Sequence, residues 1–144
     1  MKKIVLAMVL VFAFGSRAWA AETGNITVKV DGFRSGQGRV SLVLYDNSKA
    51  FPKKAKQAVK IVRVGVKDGT ATGVFKDIPY GTYAFAILHD ENANGKMDYT
   101  SVGLPKEGYA FSNNATGMVG APSFKKASFK LDKPNVTQNI DIIY

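Results

Sequence analysis

Tyr83-Ala84-Phe85-Ala86-Ile87-Leu88 is the stretch that decides the fold, because every one of its positions is apolar. A half-buried strand alternates apolar and polar side chains, whereas a strand covered on both faces is apolar throughout. The run follows the turn residues Pro79-Tyr80-Gly81 and stops at the polar pair His89-Asp90, so it has the length of a strand. We therefore interpret it as the central strand of a sheet.

The segments on either side alternate apolar and polar residues with the period of two that is typical of half-buried strands. Asp68-Gly69 lies between two of them and is a strong hairpin signal. About seven short strands with frequent turns and no long helix predict an all-β fold, a single antiparallel β-sandwich, with a closed barrel as the alternative. Residues 90–122 have weak periodicity and many glycines, and we expect one long glycine-rich loop region there, with at most one short strand near Met97 to Val102. The alternating apolar positions are Ile26, Val28, Val30; Val40, Leu42, Leu44; Val62, Val64, Val66; Phe129, Leu131; and Val136, Ile140, Ile142.

The first residues have the pattern of a signal peptide. Lys2 and Lys3 precede an uncharged apolar run from Ile4 to Phe14, and Ala18-Trp19-Ala20 is a small-residue cleavage motif. The run is shorter than the ~20 residues that cross a bilayer as a helix. We expect residues 1–20 to be cleaved, residues 21–144 to form one domain without a membrane span, and a periplasmic or secreted location in a bacterium. An uncleaved membrane anchor is the alternative.

The charge balance is basic, and the chain has no cysteine. Loss of residues 1–20 lowers the number of basic residues from 20 to 17 against 11 acidic ones, a net charge of +6. Such a domain attracts anionic polysaccharide, lipid or protein in the envelope, although the charge also serves solubility. The expected compartment argues against nucleic acid. The lack of cysteine excludes disulfides, thiolate metal sites and cysteine nucleophiles.

The segment from Asp90 to Asp98 predicts a calcium site. Oxygen-bearing side chains fall at positions 1, 3, 5 and 9 of the segment and glycine at position 6, as in the first part of an EF-hand loop. Position 12 is Ser101 where an EF-hand has glutamate, so the missing oxygens would come from elsewhere in the fold. The alternative is a hairpin loop built on Asn94-Gly95. The candidate ligands are Asp90, Asn92, Asn94, Lys96 through its backbone carbonyl, Asp98 and Glu107.

Aromatic and amide residues alternate in the second half of the glycine-rich region. Aromatic rings beside amides are typical of surfaces that bind sugars or peptides, and loops on a rigid scaffold often carry function. The alternative is that the rings fold back and cap the core. The candidate ligand-binding residues are Tyr109, Phe111, Asn113, Asn114 and Phe124.

Recognisable catalytic motifs are missing from the sequence. His89 is the only histidine, and its neighbour Asp90 points to the opposite face of a strand, so the two cannot easily pair. We expect a binding or structural module rather than an enzyme. A small hydrolase that uses the carboxylates of residues 90–107 is the remaining catalytic alternative.

Three motifs together resemble one family of exported bacterial proteins, the domain of unknown function 2141. They are Phe75 to Ala84, His89 to Asp98, and Gly103 to Asn114, followed by Gly120-Ala121-Pro122-Ser123-Phe124. The resemblance implies a prealbumin-like or immunoglobulin-like β-sandwich. It also implies that the two loops belong to one recurring site, and it implies no activity.

Overall fold

The structure is a computed structural model that describes residues 20–144, so the expected signal peptide lies almost entirely outside the described residues. Within residues 20–144 the chain forms eight strands, one more than expected. No helix in this part of the chain is long and apolar enough to cross a bilayer. The strands are β1 (Thr23–Asp31), β2 (Arg39–Tyr45), β3 (Lys60–Val64), β4 (Thr70–Pro79), β5 (Gly81–Asp90), β6 (Gly108–Phe111), β7 (Phe129–Leu131) and β8 (Asn135–Asp141). The helical segments of this described part are one short helix, α1 (Phe124–Ala127), and two 3₁₀ turns, Ala55–Gln57 and Ser112–Asn114.

Two open sheets pack against each other, which confirms the predicted β-sandwich and shows that the barrel alternative is wrong. The smaller sheet has the strand order β4-β1-β8, and the larger has β3-β2-β5-β6 with β7 also paired to β5. β1 and β8 run parallel, whereas the other strand pairs of residues 20–144 are antiparallel. The central position expected for β5 is therefore confirmed.

The core between the sheets follows from the alternating sequence pattern. Every second residue of β1 and β2 is buried there, and Phe85 of β5 meets Phe75 of β4 with ring centroids 6.3 Å apart. At Gly73 the sheets come so close that a Cβ atom would lie 2.1 Å from Cδ1 of Leu42. Glycine at this point of β4 is what lets the larger sheet approach.

The outer face of the larger sheet is covered as well. Ala84 and Ala86 of β5 point away from the sandwich core and belong to a second cluster of buried side chains. Residues 46–58 and 112–128 supply the cover, and we call these two segments the covering layer. Phe51 joins them, because its ring centroid lies 5.8 Å from that of Phe111 and 5.9 Å from that of Phe124.

The additional strand lies inside the region expected to be one long loop. β6 pairs with the end of β5 over residues 86–89 and divides the region into an excursion at 91–107 and the second segment of the covering layer. The strand has only four residues and begins with a glycine, so its sequence is too short to show the apolar-polar alternation of a strand. The loop region therefore contains a strand, but at Gly108–Phe111 and not near residues 97–102.

Removal of the Phe51 ring tests the covering layer. Phe51→Ala is expected to lower the free energy of unfolding by about 3–4 kcal/mol, because the ring is buried and contacts three other aromatic rings. Urea denaturation measures the change, and Val59→Ala, at a residue that is 39% exposed, is the control. A loss below about 1 kcal/mol would show that the layer does not contribute to the folded core.

Candidate functional site

The 90–98 loop is built around the carboxylate of its first residue. Asp90 is fully buried at the end of β5, and its two oxygens accept the backbone N–H groups of Asn94 at 3.0 Å and Gly95 at 2.8 Å. Nε of Arg39 lies 3.9 Å from the same carboxylate. A buried charge is tolerated when hydrogen bonds and an opposite charge compensate it. Asp90 therefore curls the loop back toward the sheet.

Three other predicted ligands meet at one oxygen atom. The side-chain amides of Asn92 and Asn94 donate to Oδ2 of Asp98 at 2.6 Å and 2.8 Å. Each asparagine also accepts a backbone N–H two residues further on, from Asn94 at 3.1 Å and from Lys96 at 3.0 Å. These are the Asx turns expected of the hairpin alternative, and they aim both side chains at Asp98.

Glu107 closes the excursion from its far end. It is 4% exposed, and its two carboxylate oxygens accept the backbone N–H groups of Glu91 at 3.0 Å and Asp98 at 3.1 Å. The carboxylate thus holds both ends of the 90–98 loop, which places Glu107 beside the backbone of Asp98. The side chain of Lys96 is exposed, and its predicted contribution is the backbone carbonyl alone.

The side chains of the 90–98 loop determine which groups could coordinate a metal ion. Within residues 20–144 no group of three or more His, Asp or Glu side chains lies close enough together to hold a metal, so any site here has two carboxylates and two amides. The two amides now present N–H hydrogens, rather than oxygens, to Asp98. Calcium would need both amides turned around, and each would then give up the N–H that its oxygen accepts. The residues fit calcium only at the cost of the two Asx turns.

A shallow cleft gives access to this point from solvent. It is lined by residues from both ends of the excursion: Glu91, Asn92, Asp98, Tyr99, Lys106 and Glu107. Of the three carboxylates in the cleft, Glu107 already binds backbone N–H groups and Glu91 already binds Arg34. Asp98 is therefore the acid that a solute in the cleft can reach. The hydrolase alternative depends on these carboxylates and stays a prediction.

A second network at this end of the sandwich was missed by sequence reasoning. Arg34 donates to both oxygens of Glu91 and to the backbone carbonyl of Lys106 at 2.9 Å, and Ser35 Oγ donates to Glu91 at 2.6 Å. The hydrogen bonds from Arg34 and Ser35 lower the pKa of Glu91 from its ordinary 4.5 to about 2. The turn between β1 and β2 therefore holds both ends of the excursion.

His89 connects that network to the chain terminus. Its Nε2 lies 2.9 Å from the carbonyl of Gln37, and its Nδ1 lies 2.7 Å from the hydroxyl of Tyr144. A carbonyl can only accept, so Nε2 carries a hydrogen, and in the neutral imidazole Nδ1 then accepts the Tyr144 hydroxyl. That hydroxyl in turn accepts the N–H of Arg34 at 3.2 Å, and burial raises its pKa. Both ring nitrogens of the histidine are engaged in holding the structure.

The structure places the aromatic candidates at the second cluster of buried side chains. Phe111 is buried, Phe124 is packed against the second cluster, and the backbone of Tyr109 pairs with Ile143. The side-chain amides of Asn113 and Asn114 donate to backbone carbonyls of Ser128 and Asn139. These side chains pack and hold the layer together, so no contact seen here favours the carbohydrate- or peptide-binding alternative, which stays a prediction.

Comparison with known proteins supports the predicted family. A family model described as "Uncharacterized protein conserved in bacteria (DUF2141)" matches residues 28–139, which confirms the resemblance derived from the motifs. The match includes the 90–98 loop, Glu107 and most of both sheets. No curated protein and no solved structure matches the chain significantly.

Gly38 tests how the loop is seated on the sheet. Its φ is +69°, and a Cβ atom there would lie 2.0 Å from the backbone oxygen of Asp90. Gly38→Ala is expected to lower the free energy of unfolding by about 2–4 kcal/mol, because both the φ value and the contact disfavour a side chain. Gly36→Ala in the same turn is the matched control, since its nearest atom would be 3.9 Å away. Equal melting temperatures for the two variants would contradict this view of the turn.

The Glu91 network predicts a dependence on pH. Since the pKa of Glu91 is lowered in the folded state, its contribution is complete above about pH 4.5 and is lost as the pH falls toward about 2. Glu91→Gln is expected to cost on the order of 1 kcal/mol at neutral pH, because Arg34 is half exposed. Melting curves at several pH values should show the difference from wild type shrinking as the solution becomes acidic. A difference independent of pH, or one equal to that of the exposed control Glu22→Gln, would contradict the prediction.

Proposed function

Because the chain belongs to this family of uncharacterised bacterial proteins, no activity comes with the family, and we propose that the domain is an exported binding or structural module of the bacterial envelope whose 90–98 loop is stabilised by calcium. The observation that carries the proposal is the meeting of Asn92, Asn94 and Asp98 at one oxygen atom. Side chains brought to one point by a curled loop are what a small cation requires.

Export is supported by the sequence at the amino terminus. The two lysines, the short apolar run and the Ala18-Trp19-Ala20 motif have the order found in secretory signal peptides. A cysteine-free domain has no thiols to oxidise in the periplasm or outside the cell. These features favour a periplasmic or secreted location.

Calcium would exchange one set of contacts for another. It takes six to eight oxygens, and the loop offers the carboxylates of Asp90 and Asp98, two amide oxygens and the Lys96 carbonyl, with water from the cleft. Glu107 would keep its two backbone N–H groups and support the loop from behind. The cation would then replace the amide hydrogens that now compensate Asp98.

The charge count indicates weak binding. With two carboxylates as direct ligands, and two Asx turns to give up, we expect a dissociation constant of about 0.1–1 mM, the range of extracellular calcium modules. Such a site is occupied where calcium is abundant and empty where it is scarce. The expected role is to stiffen the excursion at 91–107 rather than to signal.

A thermal melt of residues 21–144, the expected mature domain, with calcium or with chelator tests the proposal. At about 10 mM calcium, a ten- to hundredfold excess, binding is expected to stabilise the folded state by about 1.4–2.7 kcal/mol and to raise the midpoint by several degrees. The same concentration of magnesium controls for ionic strength, because magnesium gives up its water reluctantly.

Asp98→Asn separates calcium binding from folding. Its side chain receives only the two amide donors, so the variant should melt near wild type in chelator and lose the calcium shift. Asp132→Asn, an exposed aspartate between β7 and β8, is the matched control and should keep the shift. No shift in the wild type, or a full shift in Asp98→Asn, would reject the calcium site and leave the loop held by its Asx turns alone.

A further inference from the structure

The covering layer carries a strong excess of positive charge. Its two segments, residues 46–58 and 112–128, contain a single acidic residue, Asp46. Every lysine of the layer is exposed to solvent. Because the layer lies on one face of the larger sheet, these charges are gathered on one side of the domain. The lysines are Lys49, Lys53, Lys54, Lys56, Lys125 and Lys126.

An apolar tip projects from the same layer. Met118 is 99% exposed and Val119 is 96% exposed, so almost none of the surface of either residue is buried against the rest of the domain. The segment is tied down on both sides, because Ala115 packs against the second cluster and Pro122 is buried. A single exposed apolar residue is ordinary on a protein surface, but two adjacent ones at a tied loop tip indicate a contact with something apolar.

From this combination we propose that the covering layer docks on an anionic phospholipid bilayer, with Met118 and Val119 inserted among the lipids and the lysines on the headgroups. Each part of the surface matches one part of the bilayer. Lysines near an anionic membrane gain from its negative surface potential, and apolar side chains gain from the acyl boundary.

The internal contacts of the layer allow both parts to bind at once. The ring contact between Phe51 and Phe124 fixes the lysines of the first segment relative to those of α1. Asn113 donates to the carbonyl of Ser128 at 2.9 Å and joins the two ends of the second segment, between which the tip lies. The segments that carry the lysines and the tip are therefore joined to one another within the layer.

Two other occupants of this surface are less favoured. An anionic polysaccharide would use the lysines but would gain nothing from an apolar tip. A protein partner would use the tip but would not require six charges of one sign. A bilayer would contact both the lysines and the apolar tip. Because this docking does not require calcium at the 90–98 loop, a negative result for one proposal would not reject the other.

Co-sedimentation with lipid vesicles tests the proposal, with residues 20–144 as the protein because they contain both sheets and both clusters of buried side chains. The vesicles contain phosphatidylcholine alone or with about 30 mol% phosphatidylglycerol, and chelator is present throughout. Binding is expected only to the anionic vesicles and should weaken as salt is added. Equal binding to both vesicles, or none to either, would overturn the proposal.

Two double variants separate the charges from the apolar tip. Lys53→Glu with Lys54→Glu is expected to weaken binding at least ~25-fold, because each lysine near an anionic surface is worth about fivefold. Met118→Ser with Val119→Ser is expected to weaken it about tenfold or more, because the inserted side chains are lost. Folding of each variant is checked by its melting curve.

Matched controls lie elsewhere on the domain. Lys29→Glu with Lys67→Glu changes the net charge equally, and Val102→Ser with Leu104→Ser removes two other exposed apolar side chains, which are 79% and 61% exposed. Both controls should bind within about twofold of wild type, apart from the general effect of net charge. If the controls lost as much binding as the layer variants, the layer would not be the docking surface. Binding to soluble alginate that survives the loss of Met118 and Val119, with none to vesicles, would assign the lysines to polysaccharide instead.

Discussion

Burial of β5 on both faces is the constraint on which the rest of the structure depends. Its inner face needs the three-stranded sheet, and its outer face would be an apolar patch in water if nothing lay over it. Ala84 and Ala86 are small, which leaves room on the outer face for the rings of Phe51 and Phe111. The covering layer is therefore a requirement of the central strand, and its path over the surface follows from that requirement.

The same strand determines the candidate site, because it ends on a buried carboxylate. Asp90 cannot be left without donors at that depth, and the nearest donors are the N–H groups of the chain that follows it. Glu107 is buried in the same way where the excursion ends, and it accepts the backbone N–H groups of Glu91 and Asp98. Two buried acids thus bind four backbone N–H groups, and the loop is shaped by side-chain contacts where no sheet is present to shape it.

Local patterns explain what could be predicted from the sequence. The alternation of apolar residues locates most strands, and the spacing from Asp90 to Asp98 indicates a turn that brings Asn92 and Asn94 to Asp98, which they contact through N–H groups rather than through oxygens. β6 was missed because four residues are too few to show a period. The pairing of Arg34 with Glu91 joins residues 57 positions apart, and no local pattern encodes such a contact. The covering role of the aromatic residues likewise depends on which element lies opposite them.

The two proposals concern parts of the domain that differ in charge. The covering layer has six lysines against one aspartate, whereas Asp90, Glu91, Asp98 and Glu107 gather at the excursion that follows the end of β5. On an anionic surface this difference would orient the domain, because the lysine-rich layer is attracted within a Debye length of ~8–10 Å, whereas the acids at the excursion are balanced by Arg34, Arg39, Lys96 and Lys106. Calcium would add positive charge at the excursion and none to the docking face. The cation would therefore change the stiffness of the exposed loop more than the attachment of the domain.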